Sequence, residues 1–219
     1  MKTFNISIIS LLLLVVGVGS TVELRAQEAK KLFISMPDSL CPYLTSVNRA
    51  DCVDFLESKM KAVVDNRFGS KSEMTDLSKD YVRMKLTSST DWQMKLLALN
   101  DSTDVICTIT TVGGPASDSK LRFYTTQWKE LPASSYIKEP EMKDFILPAD
   151  STQEYQYNEA MLKADIFLMK ATFDKGDTRL VFELTTPDYM DKESAEKLKP
   201  FLRRLLVFQW KEGTFKPEQ

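Results

Sequence analysis

Met94–Thr111 reads MKLLALNDSTDVICTITT, and Met169–Thr186 reads MKATFDKGDTRLVFELTT. The two stretches align without a gap at a shift of 75. Met and Lys at the start, Thr103 with Thr178, and the closing Thr-Thr are identical, and Val105, Ile106 and Ile109 answer Leu180, Val181 and Leu184. In each stretch an apolar run meets a polar turn and then alternating apolar residues, which predicts strand, turn, strand. Val105, Cys107 and Ile109 fall on one face of their strand, because side chains alternate along a strand.

The likeness continues outward. FISMPDS at Phe33 precedes the first unit and FILPADS at Phe145 precedes the second. Downstream, Gln127-Trp128-Lys129-Glu130 returns as Gln209-Trp210-Lys211-Glu212. Three matching pieces in the same order point to an internal duplication of a β-meander unit, with the two tryptophans closing equivalent strands. Asp80–Leu86 (DYVRMKL) alternates Val82, Met84 and Leu86 against charged residues and predicts a half-buried strand. Asp91–Leu99, Asp104–Val112 and Lys120–Trp128 predict three more strands, separated by turn-forming TSST, NDST and GGPASDS.

Helical spacing is confined to two places. Asn48 is placed to cap a helix carrying Val53, Leu56 and Met60 and ending near Asp65. Asp191 is placed to cap a second, with Ala195, Leu198, Leu202 and Leu205 near one face and Pro200 ending or kinking it. Lys31–Leu40 (KLFISMPDSL) predicts a short strand running into a proline turn. The expected fold class is α+β: mainly antiparallel sheet with two main helices. Residues 129–141 (KELPASSYIKEPE) form a short polar link, so 27–219 reads as a single two-lobed domain, with lobe one about 31–132 and lobe two about 141–216.

Lys2, the 13-residue apolar run Ile6–Val18 and the small Ala26 match a secretory signal peptide over residues 1–26. The run is short of the ~20 residues a spanning helix needs, so no membrane anchor is expected after cleavage. Losing Lys2, Glu23 and Arg25 leaves 27 basic and 30 acidic residues. That mildly acidic balance lacks the basic surface a nucleic-acid partner needs. Export permits disulfides, and Cys41 with Cys52 is the candidate pair, its state left open by sequence. Cys107 reads as a buried free thiol.

The chain has no histidine. The commonest general base, the usual serine and cysteine triads and most zinc sites are thereby absent. No phosphate loop or calcium loop is complete, no cofactor is expected, and carboxylate pairs such as Asp150 with Glu154 are not singled out. The enzyme reading is therefore the weaker one. Asp38-Ser39-Leu40 resembles the Asp-Ser/Thr-apolar O-glycosylation sites of exported Bacteroidetes proteins, which makes Ser39 a candidate acceptor; a turn or cap is the plainer reading.

MPDSLCPYLTSVNRADCVDF, FYTTQWKELP and LTTPDYMDKESAEKLKPFLRRLLVFQWKEGTF resemble a family of exported Bacteroidales proteins of unknown function. The resemblance spans nearly the whole exported part of the chain. It implies a Gram-negative periplasmic or cell-surface address and carries over no catalytic or binding residue. The leading expectation is a non-catalytic interaction module meeting an envelope protein or glycan, with Tyr43, Arg49, Trp128 and Trp210 as candidate contact residues. Against it stand a His-free hydrolase of envelope glycan or peptide, and a small-ligand carrier between the lobes. For the tryptophans, plugs beneath each half are the plainer role.

Overall fold

The computed structural model describes residues 28–148 and 150–218. The leader expected over 1–26 lies outside the described residues.

Two antiparallel sheets are present. The first is a seven-stranded meander: β1 (Ala62–Asp65), β2 (Lys71–Leu77), β3 (Tyr81–Lys85), β4 (Thr90–Ala98), β5 (Asp104–Gly113), β6 (Ser117–Thr125) and β7 (Glu130–Leu131). The second holds β8 (Met169–Phe173), β9 (Arg179–Leu184), β10 (Leu205–Lys211) and β11 (Thr214–Pro217) in the order β11-β10-β9-β8. Helices α1 (Glu28–Ser35) and α2 (Ser46–Glu57) lie on one face of the large sheet, and the small sheet lies on the other. A third, smaller cluster joins α3 (Glu154–Met161) to α5 (Lys192–Leu198), which follows the short α4 (Thr186–Tyr189). The class is α+β, as expected.

Strand alternation explains the layering. On β4, Trp92, Met94 and Leu96 face the helices, while Leu97 packs into the core shared with the small sheet. Val105, Cys107 and Ile109 on β5 face that same shared core, with Leu180, Phe182 and Leu184 of β9 opposite them. The half-buried pattern expected from Asp80–Leu86 holds on β3, where Val82 and Met84, with Leu86 just beyond, are buried, Arg83 is half-buried and Lys85 is exposed; the central strand β4 is covered on both sides. Tyr81, Gln93 and Lys95 are buried between the sheets.

Several expected elements shift. Lys31–Ser35 is helical, not extended: Ala29, Leu32, Phe33 and Met36 are buried at i, i+3, i+4 and i+7. Thr45, not Asn48, is the N-cap of α2; its hydroxyl accepts from Asn48 N–H (3.1 Å) and the Asn48 side-chain Oδ1 accepts from Thr45 N–H (3.2 Å). The helix stops at Glu57, well before Asp65. Lys59 turns left-handed (φ 58°), Met60 N–H donates to Phe55 O and Lys59 N–H to Leu56 O. This is a Schellman stop without glycine, and it leaves Met60 exposed. Asp191 does cap α5, accepting from Ser194 N–H at 3.0 Å, and Pro200 falls in the tight turn that ends it.

The two matched hairpins pair differently. The ungapped match would set Phe173 opposite Arg179, but Phe173 lies opposite Leu180, whereas Ala98 lies opposite Asp104. One residue of slip reverses the facing of a strand: Met94 faces the helices and Met169 the shared core. The repeated tetrapeptide also differs. Gln209-Trp210-Lys211 is in strand β10, while Trp128 sits left-handed (φ 62°) in a turn after β6, closed by Trp128 N–H to Thr125 O and Thr125 N–H to Lys129 O. The Thr125 hydroxyl accepts from Gln127 and Lys129 N–H and stabilises that turn. The tryptophans do not close equivalent strands.

The sheets are tied together by polar groups. The outer N–H groups of β8 donate to side chains of the large sheet: Met169 to Asp118 (3.3 Å), Ala171 to Ser119 Oγ (2.9 Å) and Phe173 to Gln93 Oε1 (3.1 Å). Gln93 Oε1 also accepts from the Tyr81 hydroxyl at 3.0 Å. Lys95 is 0% exposed, 3.2 Å from Asp80, over the Tyr81 ring, and near the carbonyls of Asp174 (3.5 Å) and Lys175 (3.4 Å). Gln93→Leu strands the Phe173 N–H and is expected to cost about 2–4 kcal/mol in urea unfolding; a loss below about 0.5 kcal/mol would show that the tie is dispensable. Burial pushes the Tyr81 phenol up to about 12. The folded chain therefore keeps this proton where the unfolded chain, near its ordinary value of 10, has lost it. Tyr81 should contribute a fall in stability as pH rises from 10 toward 12, and Tyr81→Phe should flatten that part of the curve.

Candidate functional site: where solvent meets unusual surface

Three of the four expected contact residues are structural. Arg49 is 1% exposed. Its guanidinium donates to Leu44 O (2.7 Å), Ile34 O (3.3 Å) and Met36 O, and meets Asp38 at 3.1 Å. A guanidinium offers five N–H donors in a fixed fork, and here the fork gathers the loop between α1 and α2. Its Nε has no hydrogen-bond partner in the structure. Trp128 and Trp210 are each 9% exposed. Trp128 Nε1 donates to Leu32 O of α1 at 3.1 Å, and Trp210 Nε1 donates to Ala98 O at the end of β4 at 2.7 Å. Each is a plug with its one donor satisfied, not a stacking platform. Only Tyr43 keeps part of its ring in solvent, edge-on to the exposed Phe68 at 5.1 Å.

Residues 129–141, which read as a polar link, deliver core side chains. Tyr136 stacks on Phe123 (5.0 Å) and on Trp210 (6.2 Å), Ile137 is buried, and the Tyr136 carbonyl accepts from Phe215 N–H at 2.8 Å. Beyond them the β10–β11 turn runs through Glu212 (φ 52°) and Gly213 (φ 77°), the two-residue turn that matches strand twist. The positive φ of Gly213 favours glycine there; a Cβ would also come within 2.8 Å of a methyl of the exposed Leu99, which would have to turn aside.

Cys41 and Cys52 are free thiols and not the disulfide offered as a candidate; each packs as a small apolar side chain in the helix-side core. Burial pushes the Cys52 thiol up to about 11 and raises Cys41. Cys107, also a free thiol, is enclosed and its thiol is raised well above the ordinary value by burial. None has the low pKa of a reactive thiol. Ser39 is exposed in a turn beside Asp38.

Among the described residues, the carboxylates beside the two main concavities are Asp150 and Glu154 in one and Glu130 and Glu139 in the other. Asp150 accepts from Thr152 N–H at 2.9 Å, and that bond holds its carboxyl below the usual range. With Glu154 it borders an open hollow of about 420 Å³. A second groove, about 560 Å³, runs beside β6 between Ser119–Arg122 and Glu130–Ala133, with Glu139 at its edge. Burial and the Asp118 charge raise the Glu139 carboxyl. Both concavities open to solvent, unlike the closed cavity a carrier would need. No group of three or more metal-type side chains occurs among the described residues.

The surface feature that sequence reasoning missed is apolar. At the end of the small sheet where Thr186 Oγ1 donates to Ile166 O and Leu184 N–H donates to Arg204 O, the side chains of Ile166, Phe167, Tyr189 and Leu205 are exposed. Leu162, at the end of α3, is 81% exposed, and Tyr155 on the same helix is 77% exposed. The i, i+7 spacing of Tyr155 and Leu162 is visible in the chain, but α3 itself carries too weak a pattern to be recognised.

Sequence comparison places residues 21–215 within a family described as "Protein of unknown function (DUF3256)". The chain belongs to that family. Among solved structures it is similar to a domain of an uncharacterized protein from Porphyromonas gingivalis W83, at 26% identity and a TM-score of 0.77, covering 87% of this chain and 99% of that one. No curated protein matches it. No helix among the described residues is long and apolar enough to cross a membrane.

If Trp210 and Arg49 are braces, their loss should register as stability. Trp210→Phe is expected to cost about 1–3 kcal/mol and Arg49→Met about 2–4 kcal/mol, from the carbonyls left unpaired. Chemical denaturation checks both, and changes within about 0.5 kcal/mol would return these residues to the list of contact candidates.

Proposed function

We propose that the chain is a non-catalytic interaction module of the bacterial cell envelope. In this reading the leader over 1–26 delivers it to the periplasm or cell surface, and a partner protein docks on the apolar end of the small sheet. The observation that carries the proposal is the exposure of Ile166, Phe167, Tyr189 and Leu205 on the segments that flank one end of the small sheet, with Leu162 exposed at the end of α3. Neighbouring exposed apolar side chains of this size mark contact sites more often than solvent-facing surface. The likeness to a Porphyromonas gingivalis domain supports the Bacteroidales address implied by the sequence.

The hydrolase reading draws less support. It needs convergent groups in a cleft, and the raised Glu139 carboxyl has as its charged neighbours Asp118, already engaged by Met169 N–H, and Lys120.

The test is crosslinking capture from an envelope extract with the wild-type chain and with Leu162→Ser/Tyr189→Ser. Exposed substitutions of this kind are expected to change stability by no more than about 0.5 kcal/mol. Wild type should capture a stoichiometric protein that the double variant loses. Equal capture by both, with intact folding, would remove the apolar end as the docking site.

A further inference from the structure

Hydrogen-bond parity along the large sheet decides which backbone groups of β6 face β5 and which face outward. Leu96 N–H donates to Asp80 O at 2.8 Å, so even residues of β4 address β3 and odd residues address β5. With Lys95 opposite Cys107 and Thr108 opposite Arg122, even residues of β6 address β5. Odd residues of β6 therefore point away from the sheet. The observed bonds agree. Thr125 N–H donates outward to Lys129 O, Phe123 lies opposite Leu131 of β7, and Ser117 O accepts from Thr185 Oγ1 at 2.6 Å.

Between these covered ends lie Ser119 and Leu121. Their backbone N–H and C=O groups have no protein partner among the described residues. They look into the groove of about 560 Å³ whose far wall is Leu131–Ala133. The gap exists because β7 ends after two residues, where the chain turns into a 3-10 helix over Ala133–Ser135 (Ser135 N–H to Pro132 O, 3.1 Å) instead of bringing Ala133 into the ladder opposite Leu121. The outer edges of the small sheet are closed differently: β8 by side-chain acceptors of the large sheet, and β11 by Phe215 N–H to Tyr136 O. An open stretch of edge flanked by paired residues is a template for one more strand.

We propose that this gap takes an extended polypeptide strand of a partner protein, paired with Ser119 and Leu121 and carrying an acidic side chain opposite Lys120. A strand supplies donors and acceptors at the two-residue repeat of Ser119 and Leu121. Its residues opposite them fall on the face of Leu131, which pairs with the buried Phe123, so apolar side chains suit those places. The residue between them shares the exposed face of Lys120, which forms no ion pair among the described residues. Arg122 on the same face holds Glu130 only at 3.8 Å. Opposite charges directly across a strand pair attract. Glu139 lies near Lys120 and competes with the incoming carboxylate.

The inference goes beyond the apolar-end reading and uses different residues, so either can fail alone. The probe is acetyl-Thr-Val-Glu-Val-Thr-amide, titrated onto the ¹⁵N-labelled chain. The Ser119 and Leu121 amides are expected to shift downfield and to exchange with solvent about tenfold more slowly. Lys120→Glu should weaken binding about tenfold, equivalent to ~1.4 kcal/mol, and the peptide with Lys at its centre should restore it. Glu139→Gln should tighten the acidic peptide. No change at Ser119 and Leu121 up to millimolar peptide overturns the proposal. Protection that grows with protein concentration and no peptide also overturns it, by assigning the edge to a second copy of this chain.

Discussion

The arrangement of the whole chain depends on how one edge strand is satisfied. β8 borders the small sheet, and its outward N–H groups would otherwise be buried against the large sheet without partners. An unpaired buried donor costs about 1–3 kcal/mol. Asp118, Ser119 and Gln93 remove that cost by accepting from Met169, Ala171 and Phe173. Hydrogen bonds of this kind are directional, so they fix the angle and height at which the small sheet sits. Apolar contact between Leu97, Ile109, Phe173 and Phe182 then drives the association without having to specify it.

Lys95 is the most demanding consequence. It stands on a central strand with no exposed surface, so its charge must be met inside the protein. Asp80 meets it from the β2–β3 turn, and the Tyr81 ring and the Asp174 and Lys175 carbonyls surround it. The exposed pair of Lys175 with Asp76, at 2.6 Å, bridges the same two sheets at the surface. Lys95 thus couples the turn of one sheet to the turn of the other. This polar seam gives the inter-sheet interface a single register, as a greasy interface alone does not.

The residues that looked most functional in the chain became braces. Arg49 gathers the α1–α2 loop, Trp128 holds α1 to the meander, and Trp210 holds the small sheet to the β4–β5 turn. A rare large side chain is conspicuous in a sequence whether it is buried or exposed, so conspicuousness does not separate packing from contact. The features on which the two proposals rest are plainer. They are a group of exposed leucine, isoleucine and aromatic side chains at one end of the small sheet, and two unpaired residues on a strand edge.

Local chemistry was legible in advance because local sequence decides it. The alternation in Val105, Cys107 and Ile109, the Asp191 cap and the stop at Pro200 each depend on a few neighbouring residues, and all appear in the fold. The absence of histidine likewise bounds the chemistry by composition alone. Which face of a strand is inside depends instead on what covers it. Gln93 and Lys95 are polar in sequence and buried in space because the small sheet arrives from about 80 residues downstream. The same holds for the repeated tetrapeptide: Gln-Trp-Lys-Glu is a turn beside α1 and a strand beside β9, because the neighbours available for pairing differ. The backbone edge at Ser119 and Leu121 is open because β7 ends after Leu131 and, beyond Ser117 O, the small sheet meets β6 through the Asp118 and Ser119 side chains. Short-range propensities can write strands and caps, but long-range contacts alone settle burial, register and which edge remains to be paired.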